Sequence, residues 1–71
     1  MFKIVELIQA GEDEPSHRIL PLQFPTRAAA IEHVELLQAQ FLHRGWDKAP
    51  EQWWARNDAS LQLYRWMILE E

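Results

Sequence analysis

Residues 61–69 read Leu-Gln-Leu-Tyr-Arg-Trp-Met-Ile-Leu, and this segment constrains the fold more than any other. β-Branched, aromatic and long aliphatic side chains favour an extended chain there. An antiparallel strand with one face in water should alternate apolar and polar residues. From Tyr64 to Leu69 there is no such alternation: both parities carry large apolar groups. The segment therefore reads as a strand covered on both faces, which places it inside a sheet rather than at its edge. Residues 2–9, Phe-Lys-Ile-Val-Glu-Leu-Ile-Gln, show the same property more weakly. These two strands are expected to be the central pair.

The rest of the chain has little material with which to cover them. It has 71 residues and no cysteine, so one domain is expected, with neither a disulfide nor a zinc–thiolate site to reinforce a small core. Residues 11–16 form an acidic turn. Residues 17–22 read as a second strand, confined to an edge because Pro21 donates no ladder hydrogen bond. Thr26 is a natural N-cap. Ala30, Ile31, Val34, Leu37 and Phe41 then fall at helical spacing. With Gly45 as the left-handed C′ residue, the expected helix is about 17 residues long, and Trp46 should close on Phe41. Residues 47–50 read as a loop, 52–56 as a strand and 57–60 as a turn leading into 61–69. The expected architecture is α+β: a two-layer β-β-α-β-β chain, one four-stranded, mainly antiparallel sheet with a single helix on one face.

One helix covers one face. With a four-residue loop at 57–60, Arg56 opposes Leu61. Trp53, Ala55, Tyr64, Trp66 and Ile68 then share one side of the sheet and Trp54, Arg56, Leu63, Arg65, Met67 and Leu69 the other. The charge-free aromatic side, together with Val5 and Leu7, is assigned to the helix. The outer side takes Phe2, Ile4 and Ile8 as well, so the candidate interface is Phe2, Ile4, Ile8, Trp54, Arg56, Leu63, Arg65, Met67 and Leu69, with Glu6 placed to pair with Arg56 or Arg65. An exposed apolar patch of this size marks an interaction surface, and a second copy of the chain is the simplest occupant. A heterologous protein is the other candidate, and folded-back loops the third.

Catalytic chemistry finds no support. His17, His33 and His43 have no ligand residues at metal-binding spacing. Ser16 and Ser60 sit in turns, and two isolated glycines cannot cradle a phosphate. No catalytic residue, metal ligand or cofactor site is expected. A net charge of −4 with seven basic residues disfavours phosphate backbones and anionic membranes. No apolar run reaches the length of a membrane span, and nothing resembles a secretory signal, so a cytoplasmic location is expected. The sequence reads as a non-enzymatic interaction or regulatory module that homodimerises through its outer sheet face. The alternative is a single-stranded nucleic-acid binder using the same face as an aromatic platform.

Overall fold

A computed structural model describes residues 1–48, 51–58 and 61–71. The elements are β1 (Phe2–Ala10), β2 (Ser16–Ile19), α1 (Arg27–Gln38), β3 (His43–Lys48), β4 (Glu51–Arg56) and β5 (Gln62–Glu70). They form one five-stranded sheet in the order β2-β1-β5-β4-β3, with every pair antiparallel. The helix lies across β1, β4 and β5. This is the expected α+β arrangement with one strand more.

The two strands without alternation are neighbours at the middle of the sheet. β1 and β5 pair along their whole length, from Phe2 opposite Glu70 to Ala10 opposite Gln62. β2 occupies an edge, as expected, but it spans Ser16–Ile19 rather than 17–22. The Leu20 amide still donates to the Ile4 carbonyl (2.9 Å), and Pro21, with no amide to donate, lies just beyond that last bond. The hairpin between β1 and β2 turns at Gly11, which has φ +62° and so takes a left-handed conformation that glycine adopts without strain.

The additional strand is β3, formed where the sequence suggested a helix end and a loop. The helix stops at Gln38, not near Arg44. Its final side chain is buried and donates through Nε2 to the carbonyls of Gly45 (2.8 Å) and Trp54 (2.9 Å). Those bonds hold β3 and β4 beneath the helix end. Gly45 is not a left-handed cap; it lies within β3, opposite Trp54. The Trp54 indole covers it, and a Cβ built there would sit 2.6 Å from ring atoms. The glycine answers a close approach rather than a turn. Trp46 accordingly packs on Trp53 (centroids 6.4 Å apart) instead of Phe41. Phe41 meets Tyr64 (5.0 Å) and Trp66 (6.1 Å). Of the expected 47–50 loop, Asp47 and Lys48 belong to β3, while 49 and 50, like 59 and 60 of the expected turn, lie outside the described residues.

At the start of the helix the local reading holds. Thr26 Oγ1 accepts from the Ala29 amide at 3.1 Å, satisfying one of the free first-turn donors. The core between helix and sheet centres on Ile4, Ala30, Val34, Trp53, Ala55 and Trp66.

Candidate functional site

The face of the sheet away from α1 carries the candidate surface. Its composition follows from register. Arg56 opposes Leu63, and Trp53 opposes Trp66, so the β4–β5 pairing is two residues out of step with the expected four-residue loop. A shift of two leaves every side chain on its original face, because strand side chains repeat with period two. Trp54, Arg56, Leu63, Arg65, Met67 and Leu69 therefore share the outer face, and Trp53, Ala55, Tyr64, Trp66 and Ile68 face the helix.

β1 has the opposite orientation to the one expected. Ile4 opposes Ile68 and Glu6 opposes Trp66, so Phe2, Ile4, Glu6 and Ile8 face the helix. Ile4 is fully buried, and Phe2 packs against the core. Phe2, Ile4 and Ile8 thus leave the candidate interface. Val5 and Leu7 replace them, opposite Met67 and Arg65. Both parities of β1 are apolar, so the sequence lacked the contrast that fixes orientation. Glu6 was the misleading residue: a carboxylate is placed in water by default. Here it is buried because it is fully engaged. Trp66 Nε1 donates to Glu6 Oε2 at 2.9 Å, and Arg18 Nε donates to Oε1 at 3.1 Å. Glu6 pairs with neither Arg56 nor Arg65.

The outer face can be laid out in rows across the strands. One row runs His17, Leu7, Arg65, Trp54 and Gly45; the next holds Ile19, Val5 and Met67, and Gln52 opposite Asp47 on the other two strands; a third holds Gln9, Leu63, Arg56 and His43. Val5, Leu7, Trp54, Leu63 and Met67 are half-buried by their neighbours. Ile19 is 50% exposed and Leu69 38%. Ile19 joins the patch through its pairing with Val5, a contact across the first hairpin that no local pattern announces.

Electrostatically the face is the cationic side of an acidic protein. Arg56 and Arg65 are exposed, and among the described residues neither has an ion-pair partner. Lys3 is paired with Glu71 at 3.2 Å, and Asp47 accepts a hydrogen bond from Gln52 at 3.3 Å. His43 Nε2 meets Asp58 Oδ1 at 2.5 Å on the rim.

The surface is shallow. A depression of about 40 Å³ is lined by Leu7, Gln9, Pro15, Leu63 and Arg65, far below the several hundred Å³ of a small-molecule site. No cluster of three or more His, Cys, Asp or Glu residues suited to a metal occurs among the described residues. No described helix is long and apolar enough to cross a membrane. Comparison with family models, curated proteins and solved structures returns no match to this chain.

Proposed function

We propose that this chain is a non-catalytic interaction module that pairs with a second copy through the outer face of its sheet, and that its role is to bind or regulate another protein. The observation that carries this reading is the row-and-column patch of Val5, Leu7, Leu63, Met67 and Trp54 on the side of the sheet away from α1. Sheets pack face to face by burying such inner rows.

The position of Arg65 orients the pairing. A two-fold axis running along β5 would set Arg65 against Arg65 of the second copy. An axis running across the strands, between the Arg65 and Met67 rows, sets Arg65 over Met67 and Leu63 over Leu69. The second arrangement avoids opposed guanidinium groups and lets each arginine stem cover apolar surface while its head reaches the rim.

Sedimentation of the wild-type chain tests the reading. A mass above 8.5 kDa is expected, lowered by Leu63→Glu with helix content retained. A wild-type monomer, or a variant of unchanged mass, overturns it.

One observation favours a second reading. The Trp54 ring lies over Gly45, with Arg65 directly opposite and Arg56 two residues along the same strand, an arrangement of aromatic and cation that suits an unpaired base on a phosphate backbone. Titration of oligo-dT at low salt, followed by tryptophan fluorescence, separates the two: quenching that Arg65→Ala abolishes would favour nucleic acid over self-association.

A further inference from the structure

The free edge of β3 is a second, separate surface. Which of its backbone groups point outward follows from the ladder. The Glu71 amide donates to Met1 O (2.9 Å) and the Gly11 amide to Leu61 O (3.4 Å), so odd-numbered residues of β5 bond to β1 and even-numbered ones to β4. Alternation continues across the sheet: Trp53 and Ala55 bond to β5, while Trp54 bonds to Gly45. The carbonyls of Gly45 and Trp54, both accepting from the single Gln38 amide nitrogen, agree with that placement. The amide and carbonyl groups of Arg44, Trp46 and Lys48 therefore line the open edge, where no described strand pairs with them. Trp46 is 52% exposed beside them.

We propose that β3 pairs antiparallel with β3 of a second copy, with Gly45 on the two-fold axis. Charged edges normally discourage pairing, but of the four registers centred on Arg44 to Asp47 these charges discourage all except one. Only residues of one parity can oppose each other in such a self-pair. Centring on Arg44 sets two guanidinium groups face to face. Centring on Trp46 opposes Arg44 with Lys48, twice. Centring on Asp47 opposes two carboxylates. Centring on Gly45 opposes Arg44 with Trp46 and His43 with Asp47, each twice. Cross-strand pairs of that kind are favourable, and a guanidinium beside an exposed indole adds a cation–π contact. Arg44 and Trp46 of the two copies then form mutual hydrogen-bonded pairs through the groups now facing solvent. At the axis, Gly45 sits in the closer, non-hydrogen-bonded type of pair, where the absence of a Cβ removes crowding. His43, already touching Asp58, gains a second carboxylate neighbour in Asp47 of the other copy.

This contact joins the β3 edge, where His43 and Asp47 border the outer face, and needs none of Val5, Leu7, Leu63 or Met67, so it is tested apart from the face-to-face pairing. The chain contains no cysteine, so disulfide trapping has no background. Chains carrying His43→Cys are mixed with chains carrying Asp47→Cys and oxidised, with each variant alone as control and circular dichroism confirming the fold. In the proposed register the two positions oppose each other with Cα atoms about 4.5 Å apart, within disulfide reach. Two copies of His43 lie about 13 Å or more apart. The mixed disulfide is expected in clear excess over either homodisulfide, and equally so when both chains also carry Leu63→Glu. No excess overturns the edge contact, whatever the outer face does. An excess that disappears with Leu63→Glu overturns it too, because the contact would then depend on the outer face. A wild-type mass insensitive to Leu63→Glu, together with the mixed disulfide, would instead remove the outer-face reading and leave the edge contact standing.

Discussion

The indole N–H of Trp66 donates to the carboxylate of Glu6 across 2.9 Å, directly between the two central strands and beneath the helix. The bond joins the largest fully buried side chain to one of the few buried polar ones. It satisfies an indole donor and a carboxylate oxygen that burial would otherwise leave unpaired. It also fixes which face of β1 meets the helix, because a one-residue slip would take Glu6 away from the indole and send Ile4 outward.

Trp66→Phe should therefore be costly. It removes ring volume and orphans a buried carboxylate oxygen, and a loss of about 3–5 kcal/mol is expected. Arg18→Ala removes the other partner of Glu6, but that side chain is 67% exposed and water can replace its hydrogen bond, so the loss should stay below about 1 kcal/mol. Urea unfolding of both variants at one protein concentration checks the order. An Arg18→Ala loss equal to that of Trp66→Phe would show that the Arg18 bond, not the indole, holds the carboxylate in place.

The two glycines should respond to alanine for different reasons. At Gly45 a Cβ meets the Trp54 ring at 2.6 Å while the backbone is ordinary. Gly45→Ala should cost about 1–3 kcal/mol as overpacking, and most of that cost should vanish in a Trp54→Ala background. At Gly11 a Cβ meets nothing within 4 Å, but φ is +62°. Gly11→Ala should cost about 1 kcal/mol through backbone strain, unchanged by Trp54→Ala. A double-mutant cycle measures the coupling; equal coupling at both positions would contradict the assignment.

Gln38→Leu keeps the helix but leaves the Gly45 and Trp54 carbonyls without their shared donor. Because the two carbonyls keep their bonds to each other's strand, the expected loss is about 0.5–1.5 kcal/mol, concentrated at β3. Hydrogen exchange should accelerate at β3 and β4 amides while the β1–β5 ladder keeps its protection. Uniform acceleration across the sheet would mean that Gln38 contributes to the fold as a whole and does not pin β3 in particular.

Local chemistry carried much of this architecture. Thr26 opens the helix because a hydroxyl and a free amide meet within one turn, and Pro21, lacking a donor, lies just past the last amide that bonds to β1. Such signals act over a few residues and are readable from them. Gly45 failed as a signal because glycine serves either a left-handed turn or a close approach. The deciding neighbour, Trp54, is nine residues away in sequence and adjacent only through the β3–β4 pairing. Glu6 failed because its partners Trp66 and Arg18 come from two other strands. For the outer face, the β4 and β5 residues were legible through the tolerance of period two to a shift of two, whereas Val5, Leu7 and Ile19 needed the register of β1.

By itself, the sequence determined that residues 2–9 and 61–69 are central strands and that their apolar surface exceeds what one helix can cover. That conclusion needs only side-chain type and strand period. The tertiary structure decided which face of β1 is covered, that residues 43–48 form a fifth strand, and where the open edge lies. Each of these rests on a contact between residues distant in the chain: Glu6 with Trp66, Gln38 with Gly45 and Trp54, Gly45 beneath Trp54. A pattern along the chain records how many faces are apolar, and only pairing between strands determines which of them meet.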